Sequence, residues 1–150
     1  MEIGREIQQK QFKSDYQQTH INILFTASWL NLLSTKLLKK HNISPQQFNI
    51  LRILQGAHPK PISVKLLTER MIDKMSNASR LVEKLKQKGL IERNANESDR
   101  RRVDVYITEK GINLLEQASK EIETSIEKTF SRLQPSEALL LNQLLDKLRG

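Results

Sequence analysis

Apolar side chains recur along this chain first at helical spacing, then briefly in alternation, then at helical spacing again. Ile21, Leu24, Phe25, Leu32, Leu33, Leu37 and Leu38, with Trp29 among them, form a wide stripe that predicts a helix over residues 21–38 burying more than one face. Asn42-Ile43-Ser44-Pro45 interrupts it. Ser44 is placed to cap a second helix, with Pro45 at its first position, Gln47 completing a capping box, and Ile43 with Phe48 as a hydrophobic staple. That helix turns Phe48, Leu51, Ile53 and Leu54 inward and stops near Gly56, ahead of Pro59-Lys60-Pro61, because proline cannot continue it.

Ser63 is expected to cap a short third helix carrying Val64, Leu66, Leu67 and Met71, and Asp73 a fourth that runs to about Lys88. Gly89 then supplies a left-handed stop at little steric penalty. Two short helices joined by a tight connection make a helix-turn-helix pattern. After Gly89 the period changes to two. Leu90, Ile91 and Arg93 lead through the polar stretch 94–99 to Val103, Val105 and Ile107, which alternate with Asp104, Tyr106 and Thr108, as in a two-stranded hairpin. Thr108 caps a long helix with Leu115, Ala118, Ile122, Ile126 and Phe130 on one side. Pro135 opens a last helix containing Leu139, Leu140, Leu141, Leu144, Leu145 and Leu148, more leucine than a single buried stripe requires. Such a surplus suits either pairing of the terminal helices with a second copy or an intramolecular bundle with the first helix.

The predicted fold is mainly α with a small β-hairpin: a winged helix-turn-helix domain with N- and C-terminal dimerisation helices. Residues 1–150 form one domain, with the winged lobe at about 44–108 and the dimerisation region at about 16–40 and 109–150. A chain of 150 residues buries roughly 70% of its unfolded surface and needs no metal or disulfide for stability. It has no cysteine, which excludes a disulfide framework, a thiol sensor and a cysteine nucleophile. His20, His41 and His58 are too scattered for a metal site, no cofactor is indicated, and neither a Gly-rich phosphate loop nor a Ser-His-Asp set can be assembled. The chain is not expected to be an enzyme. Residues 1–20 are too polar for a signal peptide, and no apolar run is expected to reach the roughly 20 residues of a bilayer span. A cytoplasmic protein without membrane contact follows.

Charge points to the partner. The formal net charge is +8 and the pI about 9.8; residues 74–102 alone hold nine basic and four acidic side chains, more than half of the surplus. Such a balance favours a polyanion, although a solvated charged face would have the same composition. Order along the chain separates the two. In the fourth helix Ala78, Leu81, Val82 and Leu85 share one face, while Ser76, Arg80, Glu83 and Gln87 centre the other, flanked by Asn77 and Lys84. A recognition helix needs that division, with its N-terminal residues reaching deepest into the major groove. Arg80 suits guanine O6 and N7, Asn77 suits adenine, and Ser76 or Ser79 suits a base or a phosphate. Lys74 and Lys84 complete the expected DNA-binding set, and Lys84, Lys86 and Lys88 read as phosphate neutralisers or solvated lysines. At the hairpin tip Arg100, Arg101 and Arg102 are placed to enter a narrow, strongly negative minor groove. Asp99 is expected to orient Arg101, or another of the three, by a charge-assisted hydrogen bond.

These residues resemble the MarR family of winged-helix transcription regulators. The likeness rests on the helix order, on Glu69-Arg70 through Arg80-Leu81-Val82-Glu83-Lys84-Leu85 to Lys88-Gly89-Leu90-Ile91, and on Asp99-x-Arg101 leading to Thr108-Glu109-Lys110-Gly111. Ile72-Asp73-Lys74 departs from it, standing where glycine, an apolar residue and serine are frequent. The resemblance implies a homodimer on double-stranded DNA at a pseudo-palindromic operator, usually as a repressor, with release by a small-molecule effector. Phe25, Trp29 and Phe48 are the candidate effector liners, ordinary core packing being their other reading. A winged module docking to protein or RNA is the rival function.

Overall fold

The computed structural model describes residues 2–150. In chain order it forms α1 (Ile3–Glu6), α2 (Asp15–Leu38), a 3-10 turn (Lys39–His41), α3 (Pro45–Ala57), β1 (Ile62–Ser63), α4 (Val64–Arg70), α5 (Ala78–Gln87), β2 (Ile91–Ala95), β3 (Val103–Ile107), α6 (Glu109–Phe130) and α7 (Pro135–Arg149). The predicted class is therefore found: mostly helical, with one small antiparallel sheet between helices at both ends.

The caps explain most boundaries. Ser44 Oγ accepts from Gln47 N at 3.1 Å while Gln47 Oε1 accepts from Ser44 N at 3.1 Å, the reciprocal box that starts α3. Ser63 starts α4 by accepting from Leu66 N, and Thr108 starts α6 by accepting from Gly111 N. Two starts differ from expectation. Helix α2 begins at Asp15 because Ser14 accepts from Gln17 N, a polar cap that apolar periodicity cannot reveal. Helix α5 begins at Ala78 because Asn77, not Asp73, is the cap. Asp73 instead closes a local turn, accepting from Met75 N at 3.0 Å.

The hairpin gains a third strand. β1 is two residues long, too short to show a period, yet it pairs antiparallel with β3 through Ile62↔Val105 and Ser63↔Asp104, and the strand order is β1-β3-β2. β3 is thus the central strand, and Asp104, a polar position alternating with its apolar ones, is only 6% exposed. The core joins Ile50, Leu51 and Leu54 of α3, Leu67 of α4, Val82 and Leu85 of α5, Val105 of β3, and Leu115 and Ala118 of α6. Gly111 is required by close approach: a Cβ there would lie 2.2 Å from the Leu90 carbonyl oxygen, so α6 seats on the strand only without a side chain at that point.

The terminal helices are apolar but uncovered. α7 buries none of its residues, and Leu139, Leu140, Leu141, Leu144 and Leu148 are exposed, as are Leu24 and Leu32 of α2. The expectation that no apolar run reaches spanning length is corrected: the helical run Asp15–His41 has a mean hydropathy of 1.2 over 18 residues, enough by length and composition to cross a bilayer. It nevertheless carries Asn22, Thr26, Asn31 and Thr35 and packs against α3 and α6, as a helix of a folded lobe does.

Candidate nucleic-acid interface

Amphipathic spacing orients α5. Ala78, Val82 and Leu85 are buried and Leu81 partly so, which turns Ser79, Arg80, Lys84 and Gln87 outward, all exposed. Glu83, the acidic residue on that face, is held by Arg93 of β2 at 3.3 Å. The pair neutralises a carboxylate that would otherwise repel phosphate. Asn77 is exposed, but its Oδ1 accepts from Arg80 N at 3.0 Å, so in the free protein the oxygen expected to meet adenine stabilises the helix start.

Two other expected contacts are placed differently. Ser76 leaves the outward face: it is half-buried, and its Oγ is inaccessible without a hydrogen-bond partner of good geometry. It lies close enough to Asp73 to help hold that carboxyl below its usual range, after the larger effect of the Met75 N–H donating to it. Lys74 turns back, its Nζ donating to the Glu69 carbonyl near the end of α4, where a cation is favoured. Between them Met75 is 93% exposed, a large apolar group at the entrance to the recognition helix that polarity-based reasoning passes over.

The wing tip is a hydrogen-bonded framework. Asn96 Oδ1 accepts from Ser98 N, Ser98 Oγ and Asp99 N at 2.9, 2.6 and 3.0 Å, and Asn96 Nδ2 donates to Asp104 Oδ2 at 2.6 Å. Asp99 does not pair with a guanidinium. Its Oδ1 accepts from the backbone N of Arg101 at 3.0 Å, so it shapes the turn that carries the arginines instead of one arginine's side chain. The guanidinium partner is Asp104, which accepts from Arg102 Nε at 3.0 Å. Among the described residues this leaves Arg100 and Arg101 exposed without a side-chain ion pair, while Arg102 is anchored to the central strand. Asp104 was missed as a wing residue because strand alternation assigns it to solvent; only its pairing with both Arg102 and Asn96 reveals its part.

The three candidate effector liners are not brought together. Phe48 is 8% exposed and lines a groove of about 490 Å³ with Leu38, Asn49, Arg52, Ile53 and Ile72. Arg52 lies over the Phe48 ring, its guanidinium carbon 5.9 Å from the centroid. Phe25 and Trp29 are on the partly exposed face of α2 and do not line that groove. No cluster of His, Cys, Asp or Glu suited to a metal occurs among the described residues.

A helix-turn-helix with an outward cationic helix, followed by a hairpin presenting two free arginines, defines a winged-helix DNA-binding protein. A MarR family model matches residues 41–102, the span from the turn after α2 to the wing arginines. The chain is 32% identical over 118 residues to the HTH-type transcriptional regulator MgrA of Staphylococcus aureus, covering 77% of this chain and 76% of MgrA. A putative MarR-like transcription regulator from Bacillus cereus superposes with a TM-score of 0.81 at 23% identity, covering 90% of this chain and 96% of its own. The S. aureus MepR–DNA complex does so with a TM-score of 0.78 at 19% identity, covering 92% and 97%. This chain belongs to the MarR family and is a DNA-binding transcription regulator, not an enzyme.

Proposed function

We propose that the protein is a cytoplasmic homodimer that binds a pseudo-palindromic operator, with α5 in the major groove and the wing in the adjacent minor groove, and represses the neighbouring genes. The observation that carries this is the pairing of an outward α5 face, bearing Ser79, Arg80 and Lys84, with a rigid tip whose Arg100 and Arg101 are free. Arg80 reads a base, Asn77 and Met75 flank it at the helix entrance, and Arg102, anchored beside Asp104, holds the tip in shape. An exposed methionine there suits a thymine methyl group. Support for the dimer is the uncovered leucine surface of α7 together with the exposed Leu24 and Leu32 of α2, since apolar patches of this kind mark interfaces, and one winged module alone binds specific DNA weakly. The Phe48–Arg52 groove, apolar with one cation, suits an aromatic or acidic effector that shifts the population of dimer shapes.

Selection of duplexes from a random library, followed by footprinting, tests the reading. The expected result is a two-fold symmetric site with half-sites one helical turn apart and a steep negative dependence of affinity on salt. Failure to enrich any duplex, together with capture of single-stranded RNA or a protein, would favour the docking function instead.

A further inference from the structure

The C-cap of α5 is Lys88, a lysine that charge counting assigns to phosphate or solvent. Lys88 Nζ instead donates to the backbone carbonyl of Asn42 and to Gln47 Oε1, the latter at 3.3 Å. Both acceptors belong to the junction between α2 and α3. Asn42 sits there in the left-handed conformation, φ 56 and ψ 35, and Gln47 is the buried half of the α3 capping box. The same junction is tied to α6, because Lys40 and His41 both reach Glu121 at 3.2 Å. A second lysine secures the other side of the α5 end, Lys110 Nζ donating to the Lys88 carbonyl at 2.9 Å. Burial, and after it the charge of Lys84, lower the Lys88 pKa, as expected of an ammonium drawn inward beside another cation.

We propose that Lys88 is a positioning residue: it ties the C-terminal end of the recognition helix to the α2–α3 junction and so sets the separation of the two recognition helices in the dimer. The inference rests on the operator-binding reading above. Its physical basis is the difference between the two kinds of contact that hold α5. The Ala78, Val82 and Leu85 stripe is apolar and non-directional, so it resists separation more than sliding or rotation. A hydrogen bond from an ammonium to two fixed acceptors is directional and stops that residual motion at the helix end. In a two-fold dimer any slip occurs twice, once at each half-site.

Lys88→Met keeps the aliphatic stem and removes the donors; Lys88→Arg restores donors. The first measurement needs no DNA. Backbone amide exchange at Ile43 and Ser44 is expected to rise several-fold in Lys88→Met and to return toward the parent rate in Lys88→Arg, and an unchanged rate would overturn the tether. The second uses the duplex that the parent protein selects from a random library, and versions with one base pair added or removed at its centre. Lys88→Met should bind the selected spacing about tenfold more weakly, in the range of a lost charge-assisted hydrogen bond. Its discrimination between spacings should shrink, and its salt slope should stay that of the parent. A slope shallower by about 0.9 per subunit would make Lys88 a phosphate neutraliser and sink the proposal, as would unchanged affinity and spacing preference. Were the parent to select no duplex, the operator reading would fail, while the exchange measurement would still decide the tether.

Discussion

Arg101 and Arg102 are adjacent, identical in charge and within the same wing, yet the structure assigns them different work. Arg101 contributes only its backbone N to the tip, leaving its guanidinium free, whereas Arg102 Nε is bound to Asp104, whose side chain is 8% exposed. Arg101→Ala should therefore remove a DNA contact and leave the fold intact. Each neutralised phosphate contributes about 0.9 to the slope of log Kobs against log salt, so a dimer with two altered wings should lose roughly 1.8 in slope, with no change in Tm. Arg102→Ala should act mainly on stability. A hydrogen bond to a charged group is worth about 1.5–3 kcal/mol, but Arg102 is half exposed and Asn96 still serves the other Asp104 oxygen. About 1 kcal/mol is then the expected loss, a fall in Tm of roughly 2–4 °C at this chain length. Fluorescence anisotropy of a labelled duplex across a series of KCl concentrations reads the slope, and calorimetry reads the Tm. The reverse pattern, with Arg102→Ala flattening the slope and Arg101→Ala lowering the Tm, would refute the wing assignment.

Gly111→Ala should destabilise the protein by about 3 kcal/mol or more, because the new methyl meets a backbone carbonyl that cannot rotate away; a Tm within 2 °C of the parent would contradict the close approach. Leu140→Glu combined with Leu144→Glu, both at exposed α7 positions, should shift the mass seen by light scattering toward that of a single 17.4 kDa chain with helicity retained; an unchanged mass at micromolar concentration would place the dimer surface elsewhere. Glu121, held below its ordinary 4.5 first by the Lys40 hydrogen bond, adds stability that is present above that value and is lost as the pH falls below it through the folded-state pKa. The Tm difference between Glu121→Gln and the parent should accordingly be present at pH 7 and shrink progressively as the pH is lowered below 4.5; a constant difference would mean that the Lys40 and His41 contacts do not stabilise the charged form.

What the sequence determined by itself was encoded in local rules. Ser44, Pro45 and Gln47 announce a helix start because capping uses atoms within four residues. Ala78, Val82 and Leu85 announce a buried face because the helical repeat is local, and the wing arginines are legible from their place after a helix-turn-helix. Tertiary structure decided what depends on partners far along the chain. β1 becomes a strand only by pairing with β3, and that pairing buries Asp104 and makes it the anchor of Arg102. Asn77 and Asp73 were both chemically able to cap a helix, and in the folded chain Asn77 accepts from Arg80 N while Asp73 is taken up by the Met75 N–H of the preceding turn. Lys88, one more positive charge in composition, finds its acceptors 46 and 41 residues away. Hydrogen bonds are decided by atoms that meet in space, and no periodicity along the chain records those meetings.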